Sequence, residues 1–168
     1  MSYLTFAQTA DTTIANTVTE TTIFGTGAGT LTFPANFWVI GRTIRVEIRG
    51  DFADTGTPTS RIRVKAGATT LIDSTALTIT ALSGTEEWDI SAIITCRTTG
   101  ASGSLEAMLD FYYETTGGSS PINAFVIAGT TTTFDTTASG ALDVTWEWGT
   151  ASVSNTITSR IAYVEVLN

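Results

Sequence analysis

Alternation with a period of two constrains this chain most, and it is clearest at the C-terminal end. Within residues 141–168, Leu142, Val144, Trp146 and Trp148 fall on one side of an extended strand, and Asp143, Thr145 and Glu147 fall on the other. That is the pattern of a strand buried on one face. The run 156–167 differs. Val164 and Val166 point one way and Ile161, Tyr163 and Leu167 the other, so one sheet-on-sheet core leaves an apolar face in water. Residues 122–128 repeat the device, with Ala124 and Val126 opposed to Phe125 and Ile127.

No helical period runs for three turns, and 36 of the 168 residues are threonine, a β-branched residue suited to the solvent side of a strand. The chain therefore reads as all-β. Its length fits a single domain over residues 1–168. A net charge of -8 with pI near 4.3 disfavours a phosphate-backbone partner. There is no histidine, the residue best suited to acid–base work near neutrality and to metal ligation. Cys96 is the single cysteine, so neither an internal disulfide nor a cysteine metal cage is available. No run approaches the roughly 20 apolar residues of a membrane-spanning helix, and residues 1–5 lack a secretory pattern. These features lead to the expectation of a soluble, cytoplasmically made protein with no membrane and no nucleic-acid partner.

Taken in order, residues 3–8 alternate as a short strand. Residues 14–24 form a run with a kink or change of sheet near Glu20, residues 25–29 (GTGAG) are a flexible turn, and 37–40 begin a new strand. Residues 42–52 place Ile44, Val46 and Ile48 inward against Arg45, Glu47 and Arg49 outward, and 61–65 set Ile62 and Val64 against Arg61, Arg63 and Lys65. Joined as a hairpin through 54–58, they would gather Arg45, Arg49, Arg61, Arg63 and Lys65 into one basic patch. Strands follow at 69–73, 77–82, 88–96 and 105–113, and 117–121 (GGSSP) is a loop. About ten strands with Gly, Pro and Ser turns indicate an antiparallel β-sandwich of jelly-roll type. The two segments apolar on both faces call for a symmetric neighbour. The expectation is a homotrimer with Phe125, Ile127, Ile161 and Tyr163 at the interface.

The segments NTVTETT (16–22), LTFPANF (31–37), TCRTTG (95–100), WGTAS (148–152) and the ending VLN (166–168) together resemble a group of small bacteriophage virion proteins usually labelled tail or structural. The likeness spans nearly the whole chain and rests on turns and strand ends. It implies a trimeric jelly roll, similar in shape to tumour-necrosis-factor-like domains, displayed on the virion surface as a head decoration, head fibre or tail appendage. Its partners would be copies of itself and phage capsid or tail proteins. A non-enzymatic structural role follows, with a receptor- or glycan-binding tail tip that attaches to a host-surface glycan as the alternative. A surface-glycan hydrolase would need two carboxylates roughly 5–9.5 Å apart across a groove, and no such pair stands out.

Other constellations have plainer readings beside the chemical ones. Asp54-Thr55-Gly56 matches an aspartic-protease triplet, yet a hydrophobic-hydrophobic-Gly companion does not follow it, and a turn suffices. Glycines 25, 27 and 29 precede a strand rather than a helix, which removes the phosphate-loop reading. Asp51 and Asp54, with Asp11 or Asp135, could supply oxygens to calcium, but no spaced calcium loop is present. Glu86, Glu87 and Asp89 are no stronger, and no cofactor is expected. Cys96 shares parity with Ile90, Ala92 and Ile94 and reads as a buried small hydrophobe. Trp146 and Trp148 belong with the core, whereas Trp38 and Tyr112 are the candidates for a surface aromatic contact. The basic patch is either an ion ladder within the sheet or a docking face for an acidic capsid shell.

Overall fold

The alternating runs form fifteen strands among the residues described by the computed structural model, which are 2–116, 122–129 and 131–168. The loop assigned to 117–121 lies outside them. In chain order the strands are β1 (Tyr3–Gln8), β2 (Thr12–Ala15), β3 (Thr21–Thr22), β4 (Gly27–Gly29), β5 (Thr32–Phe33), β6 (Thr43–Ala53), β7 (Thr59–Ala66) and β8 (Thr69–Asp73). They continue with β9 (Leu77–Thr78), β10 (Glu86–Thr98), β11 (Gly103–Glu114), β12 (Ile122–Ala128), β13 (Thr132–Phe134), β14 (Gly140–Trp148) and β15 (Thr156–Val166).

These strands make two antiparallel sheets. The larger runs β12-β11-β10-β6-β15-β1-β4, with β13 beside β11 and β2 beside β15; the smaller runs β3-β14-β7-β8, with β5 beside β14 and β9 beside β7. One contiguous core lies between them, so the fold is all-β and sandwich-like. Ile44, Val46, Ile48, Ile90, Ile94, Phe111 and Val164 face inward from the larger sheet, and Ile62, Val64, Leu142, Val144, Trp146 and Trp148 from the smaller. Phe111 meets Trp146 edge-on across the gap at 5.6 Å, and Trp146 meets Trp148 at 5.2 Å. Aromatic edges of this kind add about 0.5–1.5 kcal/mol beyond area burial.

The change of sheet expected within residues 14–24 is present, since β2 pairs with β15 in the larger sheet and β3 with β14 in the smaller. Five local expectations differ from the structure, one being the strand expected over 77–82, which is cut short to Leu77–Thr78 where the Ile79 N–H bonds instead to the Pro58 carbonyl. More than ten strands form because short threonine- and glycine-rich connections also pair at the sheet edges. Gly27–Gly29 is one of these, an edge strand on β1 rather than a free turn. Gly29 has φ +91°, and a β-carbon there would sit 2.1 Å from the Thr5 carbonyl oxygen, so only glycine permits the approach.

Residues 37–40 form no strand. Between Pro34 and Gly41 the chain turns, and Phe37 and Trp38 fold inward onto Phe33, with ring centroids 4.2 and 5.6 Å away. Most important for the site, β6 and β7 are not a hairpin. β6 lies between β10 and β15 in the larger sheet, and β7 lies between β14 and β8 in the smaller.

Candidate functional site

The separation of β6 from β7 divides the expected basic patch between opposite outer faces. Arg61, Arg63 and Lys65 project from the smaller sheet into a balanced set of acids. Arg61 is paired with Asp73, Arg63 with Glu20 at 2.9 Å and Glu147 at 2.7 Å, and Lys65 with Glu20 at 3.1 Å. The Arg61 hydrogen bond holds the Asp73 carboxyl down at about 2 against burial, helped by the Thr75 backbone N–H. Burial would raise the Glu20 carboxyl, but hydrogen bonds from Thr145 and Lys65 and the charge of Arg63 hold it below its ordinary value. Nearby, burial pushes the Asp143 carboxyl up despite a 2.6 Å hydrogen bond from Thr22. This face is a closed ion ladder with no surplus of positive charge.

Arg45 and Arg49 lie on the outer face of the larger sheet, also paired. Arg45 donates to Glu165 at 2.7 Å, and Arg49 contacts Asp89 at 2.5 Å. Between these ion pairs the face carries apolar side chains in water. Ile93 and Met108 are paired neighbours on β10 and β11, with Ala128 of β12 beside Met108, and Val126 lies opposite Asp110. The expected trimer residues divide in the same way. Ile161 is exposed and Tyr163 half-buried on this outer face, opposite Arg49 and Glu47. Phe125 and Ile127 instead turn toward the core, where Phe125 stacks on Phe111 at 6.1 Å and Tyr113 at 6.2 Å. On β12 it is Ile122, Ala124 and Val126 that face outward.

At one end of this face is a groove of about 410 Å³. A row of successive partners crosses it: Tyr112 on β11, Asp89 on β10, Arg49 on β6 and Ile161 on β15. Asp51, Glu87, Glu114, Ile122 and Arg160 also line it, together with Gly50, Trp88 and Tyr113. The groove depends on an irregularity in β15, where the register shifts between Ser159 and Ile161 so that Arg160 and Ile161 both reach the surface. A bulge of this kind re-aims side chains and is common beside functional sites.

The surroundings hold the bulge in place. Buried Ser159 donates to Gln8 Oε1 at 2.9 Å and accepts from Gln8 Nε2 at its backbone oxygen at 2.8 Å. On the facing strand, a β-carbon at Gly50 would lie 1.8 Å from the Thr158 oxygen, so glycine is required there. Arg160 is clamped by Asp51 and, at 2.8 Å, by Asp11.

Tyr112 is therefore an exposed aromatic in a groove, as a surface contact requires. Trp38 is not, being 3% exposed inside the Phe33–Phe37 cluster with Arg42 over the Phe37 ring at 4.9 Å. Asp11 and Asp51 are engaged by Arg160, Asp135 bonds to Thr137, and Asp54 accepts from the Leu82 backbone N–H at 3.0 Å while burial raises its carboxyl. No group of three or more acidic or thiol side chains among the described residues is arranged to hold a metal. Cys96 is buried, which pushes its thiol up, and it donates to the Thr98 carbonyl at 3.4 Å. The groove itself was not anticipated from sequence. Its one signal is a break in phase, because Ile157 and Ser159 face inward at odd positions whereas Ala162, Val164 and Val166 do so at even ones. No protein-family model, curated protein or solved structure matches the chain.

Proposed function

We propose that the chain is a non-enzymatic structural protein of a bacteriophage particle, a homotrimeric jelly roll that decorates or extends the virion surface. The carrying observation is the asymmetry of the two outer faces. Ile93, Met108, Tyr112, Ile122, Val126 and Ile161 are all exposed on the larger sheet, whereas among the described residues none of the exposed large apolar side chains lies on the strands of the smaller one. A protein that keeps exposed apolar side chains off one face and gathers them between the ion pairs of the other is built to cover that second face with a partner. The strand order supports the jelly-roll reading, because β1, β6, β10 and β15 alternate along the chain with β3, the β7–β8 pair and β14 on the opposite sheet. The likeness of its turns and strand ends to small phage virion proteins supplies the particle.

Sedimentation velocity on the purified chain at micromolar concentration tests the assembly, with a stable trimer expected and a monomer overturning it. Mass spectrometry of virions purified from a phage encoding the chain tests the location, with the chain expected as a stoichiometric component. A second reading, attachment to a host-surface glycan, is favoured by one observation: an exposed tyrosine in a groove whose charged walls are held rigid.

A further inference from the structure

The geometry points to the groove at the β11-β10-β6-β15 end of the larger sheet as a binding site for a neutral, hydroxyl-rich oligosaccharide, with Tyr112 as its stacking surface. This rests on the second reading above and requires that the assembly leave this end of the sheet uncovered, since Tyr112, Ile122 and Ile161 belong both to the groove and to the exposed apolar face.

Three properties of the groove select that ligand. The first is rigidity. Arg49 is held by Asp89, Arg160 by Asp51 and Asp11, and the bulge that presents Arg160 and Ile161 is pinned by Gln8 and permitted by Gly50. A ligand meeting such walls does not have to order them, which removes much of the usual entropic cost of binding.

The second is the kind of polar group on offer. A guanidinium has five N–H donors and a carboxylate about four acceptor sites. The ion pairs engage only some of these, so the rest present fixed donors beside fixed acceptors. Sugar hydroxyls, which donate and accept, match such mixed sites without bringing a charge that must be neutralised. The exposed Tyr112 ring, with Ile122 and Ile161 on the walls, supplies apolar surface for the C–H face of a sugar ring.

The third is the sign of the field. Four acids line the groove against two arginines, on a chain that is already -8. Phosphate, sulfate and carboxylate polymers are repelled. A basic peptide would gain from the same field, but Asp51 and Asp89 are already paired with arginine, so two of the four carboxylates are closed to it. The volume has room for about two sugar rings, within the range of ligand clefts.

The test uses the intact chain on an array of neutral and anionic oligosaccharides, followed by calorimetry with the strongest neutral hit and with oligolysine as the competing class. Neutral oligosaccharides are expected to bind, Tyr112→Ala to weaken them about tenfold or more, and Arg61→Ala on the opposite sheet to change nothing. No neutral binding at millimolar ligand overturns the proposal. So does stronger binding of anionic sugars or oligolysine, or binding that Tyr112→Ala leaves intact. Sedimentation of the same samples reports assembly separately, so a failed trimer and an empty groove give different results.

Discussion

Replacing Met108 by aspartate is the sharpest test of the assembly. Met108 sits mid-strand on the outer face of β11, opposite Ile93 and Ala128, and is 51% exposed. Covering it against a second copy removes about 100 Å² of apolar surface, worth about 2.5 kcal/mol at 25 cal/mol per Å². In a closed trimer three equivalent contacts lose that contribution, about 7.5 kcal/mol together, or roughly five decades in the assembly constant. Dehydrating the new carboxylate adds to the loss. The side chain is outside the core, so the fold should lose no more than about 1 kcal/mol, the span of strand propensities. Sedimentation velocity from sub-micromolar to about 100 μM, with circular dichroism of the same samples, measures both effects. The expected result is a folded monomer. A Met108→Asp chain that assembles as the wild type does would refute the assignment of this face, and a wild-type monomer would refute the trimer itself.

Gly50→Ala places a β-carbon 1.8 Å from the Thr158 oxygen; β6 and β15 must separate, and a loss of roughly 3 kcal/mol or more is expected in urea unfolding. Trp38→Ala should cost about 3–5 kcal/mol, as for a buried aromatic, and a near-neutral result would return Trp38 to the surface. Asp73, held at about 2 when folded against an ordinary 3.8, contributes stability that is present above the ordinary value and lost as pH falls toward 2. Because this carboxylate is partly exposed and screened, Asp73→Asn should cost only about 1 kcal/mol at pH 7. Denaturant midpoints of mutant and wild type should converge near pH 2. Asp54 has the opposite sign. Burial raises its folded value, so the stability its protonation brings is present in acid and lost as pH rises through that value. Asp54→Asn should therefore raise the melting temperature at pH 7 and leave it unchanged in acid.

How far the sequence reached is visible in particular residues. Leu142 to Trp148, Ile44 to Ile48, Ile90 to Cys96 and Leu105 to Tyr113 face inward as their alternation predicts, because a strand's side chains must alternate and burial selects the apolar set. The apolar second face of β15 was also legible in Ile161 and Tyr163. On β12 the choice of face was not, since Phe125 and Val126 are both apolar and only the aromatic cluster around Phe111 decides which one turns inward. Trp38 was misplaced for a related reason. The turn from Pro34 to Gly41 carries no period, and the ring followed Phe33 and Phe37 into the core.

An all-β chain, the inward sets of β6, β10, β11 and β14, and a surplus of apolar surface could be read from the residues alone. All three follow from local period and composition, which require no knowledge of neighbours. Which strands are neighbours is settled by the assembled sheets alone. The tertiary structure sent β6 and β7 to different sheets, divided five basic residues between two ion ladders, and brought Tyr112, Asp89, Arg49 and Ile161 into one row from four separate strands. Register across a sheet is a long-range property, set by how two whole faces bury one another, and no window of sequence contains it.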